Sequence, residues 1–299
     1  MNTPSLEDLR IFSVLVKTES VSAAAAELEV SAAYISKRLK QLESKLGVRL
    51  VHRTKRKLIL TGVGSTLSEW GQRVLDSTED LMDAIHLDKI VPKGMLRVCS
   101  SSGFGRNFVG PALSKLAKMY PDLEIQLDLL DRKIDLIHEG FHLDVRLGHI
   151  DEPDLVSKKL AKNHRILCAS PSYLADHGTP TQLSDLMRHR CLVIHERDQQ
   201  HGRWILEGEG EKHSLKLKGV LSSNNGETVK QWTVDGHGIS LRSTWDVNPM
   251  IRAGQLVRIL PQYFQGADVY AIYSSKLSSS AKLRICVDFL AKELSSCSD

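Results

Sequence analysis

The sequence predicts an α/β protein in three parts: an N-terminal winged helix-turn-helix domain dominated by α-helices, a long linker helix with a hinge, and a larger two-lobed domain. Residues 21–40 contain two short helical patterns with a tight turn between them, and residues 64–89 carry apolar side chains at near-heptad spacing. From residue 95 onward, short apolar runs alternate with helical patterns, which predicts parallel sheets flanked by helices. The expected domains are residues 1–61, 62–94 and 95–299, the last with one lobe from 95–165 and 269–299 and a second from 166–268.

Three short helices are predicted before Gly47, which is a natural helix stop. The first covers residues 6–18, with Ser5 as its cap and an apolar side formed by Leu6, Leu9, Phe12 and Val16. Ser22 is a good cap for the second helix, and Ser31 for the third. The third helix carries an inward apolar stripe of Ile35, Leu39, Leu42 and Leu46. Its other face is polar and suits a helix that lies in the DNA major groove.

This polar face and its surroundings supply the candidate DNA-binding residues, which are Ser22, Ser31, Ala32, Ala33, Tyr34, Ser36, Lys37, Lys40, Arg49 and Arg53. Residues 1–60 hold eleven Lys and Arg against six Asp and Glu, an excess of five, whereas the whole chain has a net charge of +4. A basic excess confined to one end indicates contact with a phosphate backbone. The alternative is an ordinary helical hairpin, whose solvated face would normally mix its charge signs.

A small hairpin and the long helix follow. Residues 48–51 and 58–60 predict two short strands joined by a basic turn, which together form the wing. Thr61 is placed to cap the long helix, whose stripe consists of Leu67, Trp70, Val74, Leu81 and Ile85. A small three-helix domain cannot bury so long a stripe, so we expect pairing with a second copy of the chain as a dimer or tetramer. The alternative is that the helix lies on its own second domain, although Pro92-Lys93-Gly94 indicates a hinge there.

The larger domain is expected to contain two sheets. In the first lobe the predicted strands are 96–100, 125–130 and 143–147, and the helices are 108–119 and 134–138. In the second lobe residues 171–176, 183–189 and 227–234 are expected to be helical, with strands at 192–195, 204–206, 214–217 and 239–242. Residues 165–169 are expected to pass from the first lobe into the second, and residues 269–273 to pass back into the first. A helix at 281–294 is expected at the end of the chain.

Residues 6–64 resemble the DNA-binding domain of LysR-type transcriptional regulators. The matching residues include Ser20-Val21-Ser22-Ala23-Ala24-Ala25, Val30-Ser31, Ile35-Ser36, Leu42-Glu43, Leu46-Gly47 and Arg53. The sequence departs from the family pattern at Glu19, where the family usually has glycine. The order of elements after residue 95 is similar to the family's effector domain, a two-lobed fold like that of periplasmic binding proteins. This resemblance covers essentially the whole chain.

Polar loops at the carboxyl ends of strands are the candidate effector-binding positions, because open α/β sheets bind ligands there. The chosen residues are Ser100, Ser101, Ser102, Arg146 and Asn224. Hydroxyls and backbone amides after the first strand could hold a carboxylate, and Arg146 could pair with an anion. Helix capping and a turn are the alternatives for the serines and for Asn224, and a salt bridge to Asp144 or Asp131 is the alternative for Arg146.

Other function classes find little support. The five cysteines are scattered without metal-ligand spacing, and neither a nucleotide-binding loop nor a nucleophile elbow is present. We therefore expect no cofactor, no metal and no enzyme activity. A serine hydrolase that uses residues 100–102 is the enzyme alternative. The N-terminus lacks the pattern of a signal peptide and no apolar run is long enough to span a membrane, so we expect a cytoplasmic protein.

Within the family, stretches such as Ser102-Gly103-Phe104-Gly105-Arg106 and Leu221-Ser222-Ser223-Asn224-Asn225 resemble regulators of tartrate and malate use. The resemblance implies double-stranded DNA, a hydroxy-dicarboxylate or similar small organic acid, and RNA polymerase as partners. The expected function is therefore a regulator, mainly an activator, that a small anionic metabolite controls. The alternative that is not an enzyme is an architectural DNA-binding protein that responds to no effector.

Overall fold

The computed structural model describes residues 3–53, 58–85, 92–148, 155–194, 202–275 and 280–295. The chain divides into two units, residues 1–90 and residues 91–299. The elements of the first unit are α1 (Leu6–Thr18), α2 (Val21–Glu27), α3 (Ala32–Leu46), β1 (Val51–Arg53), β2 (Leu58–Leu60) and α4 (Gly62–Ile85). Among the described residues, no helix is long and apolar enough to cross a membrane.

Helix α1 begins where its sequence predicts, because Ser5 and Asp8 form a reciprocal capping box. The Ser5 hydroxyl accepts from the Asp8 backbone at 3.1 Å, and the Asp8 carboxylate accepts from the Ser5 backbone at 3.0 Å. Its buried face was predicted only in part. Leu9 and Phe12 are buried, but Ile11 and Leu15 complete the core, whereas Leu6 is exposed and Val16 lies at the edge.

The helix-turn-helix is confirmed with one correction at its first cap. Ser20, not Ser22, caps α2 by accepting from the Ala23 backbone, and Ser22 is an exposed residue of the first turn. Ser31 caps α3 as predicted, with its hydroxyl 3.1 Å from the Tyr34 nitrogen. Gly47 ends α3 with a φ of 70°, a left-handed conformation that glycine adopts without strain.

The wing is an antiparallel pair in which β1 faces β2, while the basic turn at 54–57 lies outside the described residues. Thr61 caps α4, since its hydroxyl accepts from the Gly64 backbone at 2.9 Å. One side of α4 packs on its own unit: Leu67 joins the helical core, and Ser13 of α1 donates to Gln72 at 2.7 Å. The rest of the stripe stays open, because Trp70, Val74 and Leu81 are exposed. The described side chains of the stripe do not include Ile85.

In the second unit, the first lobe is built on a five-stranded sheet in the order β4-β3-β5-β15-β6. Its strands are β3 (Gly94–Ser100), β4 (Leu123–Leu129), β5 (Leu143–Leu147), β6 (Leu155–Ala161) and β15 (Val269–Ser274). Strand β3 is parallel to β4 and β5, whereas β15 is antiparallel to its neighbours. The core lies between this sheet and two helices, α6 (Gly110–Met119) and α10 (Ala281–Ser295).

The second lobe contains an eight-stranded mixed sheet. Its strands are β7 (His164–Ala169), β8 (Cys191–Ile194), β9 (Arg203–Gly208), β10 (Glu211–Lys216), β11 (Gly219–Ser223), β12 (Ile239–Ser243), β13 (Val257–Arg258) and β14 (Phe264–Gly266). Helices α7 (Pro171–His177), α8 (Gly226–Val234) and α9 (Thr244–Arg252) and a 3₁₀ turn, Leu183–Met187, accompany it. The parallel sheets expected from the sequence are therefore mixed, because the strands that cross between the lobes run antiparallel to their neighbours.

Several predicted elements need correction. Residues 134–138 are a turn region rather than a helix, and the helix expected at 108–119 starts earlier. It begins as α5 (Ser102–Phe104), passes through a π-helical turn, Gly105–Val109, and continues as α6. Strands β6 and β14 were not predicted, and Ser222 and Ser223, which precede the candidate Asn224, end strand β11.

The two lobes are joined where the chain crosses between them. Asn163, just before β7, donates its backbone N–H to Asp268 at 2.9 Å and its side-chain amide to the Ala267 carbonyl at 2.8 Å. The Ala267 backbone N–H in turn donates to the Asn163 carbonyl at 3.1 Å. The two crossing segments are thus held side by side at the hinge.

Candidate DNA interface and effector cleft

Helix α3 presents one exposed polar face, as expected of a recognition helix. Ala32, Ala33, Tyr34, Lys37 and Lys40 are exposed on it, and Ser36 is half-buried. Ala33, Ser36, Lys37 and Lys40 line a groove of about 930 Å³ along this face. Ser22, Ser31 and Arg49 are also exposed, and the side chain of Arg53 lies outside the described part of the chain.

Two basic residues of α3 are held by an acid of α1 and are not free to meet phosphate. The buried carboxylate of Asp8 lies 2.7 Å from the Arg38 guanidinium and 3.5 Å from Lys45 Nζ. Burial opposes ionisation of Asp8, but the Ser5 hydrogen bonds and the charges of Arg38 and Lys45 outweigh it and lower the pKa of Asp8. Lys37 and Lys40 have no acidic partner among the described residues. Lys37, Lys40 and Arg49 are therefore exposed basic residues of this surface that Asp8 does not hold.

Tyr34 at the tip of α3 has a partner that its sequence position did not reveal. Its hydroxyl donates to Glu7 Oε1 at 2.6 Å, and the other oxygen of Glu7 lies 3.1 Å from Arg38. Glu7 is 27 positions from Tyr34 and 31 from Arg38 in the sequence, so only the packing of α1 on α3 brings them together.

The serines expected to hold an effector have different environments. Ser100 is fully buried, and its hydroxyl donates to the Val145 carbonyl at 2.6 Å, so its position contradicts the prediction that this hydroxyl faces a ligand. Ser101 is the N-cap of α5, but its side chain makes no capping hydrogen bond. The Ser102 backbone N–H, expected to be open to a ligand carboxylate, instead donates to Asp131 Oδ1 at 2.8 Å.

A carboxylate of the chain itself therefore occupies the helix N-terminus and also bridges the lobes. The second oxygen of Asp131 accepts from the side-chain amide of Asn225 at 2.9 Å. Asn225 also caps α8, because its side-chain oxygen accepts a hydrogen bond from the Thr228 backbone N–H at 3.1 Å. Contact across the cleft thus comes from Asn225 rather than from the predicted Asn224, which is exposed.

A chain of alternating charges crosses the same cleft. Arg106 of the first lobe lies 3.1 Å from Glu227, and Lys230 lies 3.0 Å from Glu227 and 2.8 Å from Asp246. Asp246 also pairs with Arg242, whose guanidinium lies where a side chain at Gly226 would clash. Each positive group here already has a carboxylate of the chain as its partner.

Aromatic side chains close the cleft beside these charges. Trp245 of the second lobe makes edge contacts with Phe104 and Phe108 of the first, with ring centroids 5.5 and 5.4 Å apart. The indole nitrogen of Trp245 is buried, and nothing in the described residues accepts its hydrogen. A buried donor without a partner is uncommon and suits a ligand oxygen.

Arg146 forms the ion pair that the sequence analysis left open as its alternative. Its Nε and Nη2 lie 2.7 and 2.6 Å from Asp144 Oδ2, and both residues are buried in β5. The charge of Arg146 is therefore neutralised within the strand. The effector-binding positions chosen from the sequence did not include Arg106, Asp131, Asn225, Glu227 or Trp245, although Arg106 and Asn225 lie within the stretches that resemble regulators of tartrate and malate use.

The family follows from comparison with known proteins. Residues 6–65 match the bacterial regulatory helix-turn-helix protein, lysR family, and residues 90–295 match the LysR substrate binding domain. The chain is 50% identical to the HTH-type transcriptional regulator DmlR of Escherichia coli over 97% of this chain and 94% of that one. It is 42% identical to the E. coli HTH-type transcriptional activator TtdR, over 96% and 93%.

Solved structures agree with this assignment. CrgA, a LysR-type transcriptional regulator from Neisseria meningitidis, superposes with a TM-score of 0.59 at 31% identity, covering 98% of this chain and 99% of that one. One family model matches the winged helix-turn-helix, and the other matches the two-lobed domain. The chain therefore belongs to the LysR family of DNA-binding transcriptional regulators and is not an enzyme.

Proposed function

We propose that this regulator is an activator controlled by a small hydroxy-dicarboxylate of the tartrate and malate type, which binds between the two lobes of residues 92–295. The observation that carries the proposal is the Asp131 carboxylate, which takes donors from both lobes at 2.8 and 2.9 Å. Donors that hold one carboxylate so well would also hold a carboxylate of a ligand. The similarity to the activator TtdR supports the sign of regulation, and the stretches that resemble regulators of tartrate and malate use support the effector class.

Charge balance decides how an anion would enter. Arg106, Lys230 and Arg242 are each paired with a carboxylate in the cleft, so a dianion finds no uncompensated positive charge among them. An entering dicarboxylate would therefore replace Asp131 and Glu227 on their donors. The Trp245 indole N–H would then supply a hydrogen bond that the protein itself leaves unmade.

Replacement of these contacts would change the angle between the lobes. Asp131 to Asn225 and Arg106 to Glu227 are contacts between lobes, and a ligand that displaces both acids exchanges them for its own bonds. Such a ligand shifts the equilibrium only as far as its affinity differs between the two closure states. This gives the effector a way to alter how the chain acts on RNA polymerase in the cytoplasm.

Self-association completes the proposal. Val63, Trp70, Val74 and Leu81 expose an apolar surface along α4, which a second copy of the same helix would bury. A dimer would also place two recognition helices on one duplex, as helix-turn-helix proteins require for two half-sites.

Calorimetric titration of the full chain with malate, tartrate, succinate and acetate tests the effector class. We expect heat and saturation with the dicarboxylates and none with acetate, because one carboxylate cannot replace both acids. Glu227→Gln should strengthen binding, since it removes the carboxylate partner of Arg106 and one of the two carboxylates at Lys230, while Glu211→Gln at an exposed hairpin tip should not. Absence of binding by every dicarboxylate would overturn the proposal.

A further inference from the structure

An exposed acid contacts the N-terminal end of the recognition helix, and phosphate binding does not explain its presence there. Glu7, at the start of α1, accepts the hydroxyl hydrogen of Tyr34 at 2.6 Å. Tyr34 is the third residue of α3 and is exposed, in the part of a recognition helix that meets base edges. An acid at a DNA-binding surface is repelled by phosphate, so its presence there calls for another role.

The hydrogen bond to Glu7 fixes the chemistry that Tyr34 can offer. A phenol has one hydrogen to donate and lone pairs that accept. The hydrogen bond to Glu7 raises the pKa of Tyr34 above its usual 10, because the bond favours the protonated phenol that donates to Glu7. Its one hydrogen points to Glu7, and what remains toward the solvent is an acceptor.

The neighbouring cation cannot take over base recognition at this point. Arg38 lies one helical turn after Tyr34, and its guanidinium is held by Glu7 at 3.1 Å and by Asp8 at 2.7 Å. An arginine that contacts guanine needs two free N–H groups in line with O6 and N7. With Arg38 bound to α1, the hydroxyl oxygen of Tyr34 is the polar group that this part of the face presents.

We propose that Glu7 determines base specificity through Tyr34: it makes the phenolic oxygen an acceptor only, so that Tyr34 selects a base with an exocyclic amino group. In the major groove these groups are N6 of adenine and N4 of cytosine, whereas guanine and thymine present acceptors at the equivalent places. One position of each half-site therefore prefers adenine or cytosine to guanine or thymine on the strand that Tyr34 faces. Glu7 is a positioning residue, and Tyr34 makes the contact.

Selection from a pool of random duplexes tests this proposal with the full chain. Base frequencies at each position are compared for the unchanged protein, Glu7→Ala and Tyr34→Phe. The unchanged protein should show one position limited to adenine or cytosine, and both variants should lose that preference by roughly two- to tenfold while the other positions keep theirs. Glu7→Ala frees the hydroxyl to donate or accept, and Tyr34→Phe removes it.

Glu27→Ala is the matched control. Glu27 is an exposed acid of the same unit that pairs with Lys17 at 3.3 Å, so its removal changes the net charge equally without touching Tyr34. It should raise affinity for all duplexes slightly and leave every base preference as it was. The proposal would be overturned if Glu7→Ala kept the base preference of the unchanged protein. It would also be overturned if the preference that Tyr34→Phe abolishes were for guanine or thymine.

Discussion

The carboxylate of Asp131 in one lobe accepts a hydrogen bond of 2.9 Å from the side-chain amide of Asn225 in the other. The same carboxylate holds the Ser102 backbone N–H at 2.8 Å, so a single acid joins a helix N-terminus of the first lobe to the cap of α8 in the second. Any ligand that separates Asp131 from Asn225 changes a contact between lobes directly.

Asn225→Asp should open the cleft. Aspartate still caps α8, but it places a second carboxylate against Asp131 where a donor stood, and the two like charges repel. We expect a larger radius of gyration for the isolated residues 92–299 in solution scattering. The double variant Asp131→Asn, Asn225→Asp restores one donor and one acceptor at this contact and should recover the original radius. A single variant that scatters like the unchanged protein would show that this contact does not hold the lobes.

Arg146→Met should destabilise the effector domain rather than report cleanly on effector binding. It leaves the fully buried Asp144 carboxylate without the Arg146 charge, and breaking a buried pair costs about 3–5 kcal/mol. Urea unfolding measures this loss. The double variant Asp144→Asn, Arg146→Met removes both charges and should regain most of the stability. Equal losses in the single and double variants would argue against a coupled pair.

The contrast between Ser100 and Asn225 shows why the sequence places polar loops beside the cleft without revealing which contacts they make. A polar loop after a strand marks the end of a sheet where ligands bind, and this reasoning placed residues 100–102 and Asn224 near the cleft. It does not reveal which side chain points inward, and Ser100 uses its hydroxyl within the sheet. Nor does it reveal an acid such as Asp131, which follows a different strand and closes the site from 29 residues away.

The helices were predicted best where a local cap determines them. Helix α1 begins at the capping box of Ser5 and Asp8, and helix α3 begins after Ser31 and ends at Gly47. Each of these signals lies within a few residues of the helix end that it determines. Ser20 and Ser22 are both capping residues, and local spacing could not separate them. The turn at residues 134–138 has helical apolar spacing, but its Ile134 and Leu136 fill a separate small core instead of forming a helix face.

Leu81→Lys should prevent self-association while the helix-turn-helix stays folded. Leu81 is exposed, so the substitution removes nothing from the core of its own unit, but a lysine at a helix pair buries an unpaired charge at a cost of several kcal/mol. Sedimentation of the full chain measures the change. Ser65→Lys adds the same charge to another exposed position of α4, off the apolar stripe, and should leave association intact. Dimers of Leu81→Lys as strong as those of the unchanged chain would place the interface elsewhere.

Asp8→Asn should remove one acid-sensitive contribution to the stability of residues 1–85. Because the folded pKa of Asp8 lies below its usual 3.8, the stabilising contribution is present above pH 3.8 and is lost as the pH falls toward the folded pKa. Thermal unfolding of this fragment between about pH 5 and about pH 3 compares the two proteins. The variant should be less stable at the upper end of this range and should lose less on acidification. Parallel curves for the two proteins would mean that Asp8 does not stabilise the fold through its charge.

Coupling between the cleft and DNA binding is measured by the affinity of the full chain for its selected duplex with and without a hydroxy-dicarboxylate, followed by anisotropy at fixed salt. If the effector acts through lobe closure, saturating malate or tartrate should change the dissociation constant by roughly 5- to 150-fold, and the duplex should change effector affinity by the same factor. Acetate should leave the constant unchanged. A duplex affinity that no dicarboxylate alters, in a protein that binds both ligands, would contradict the coupling between cleft and recognition helix.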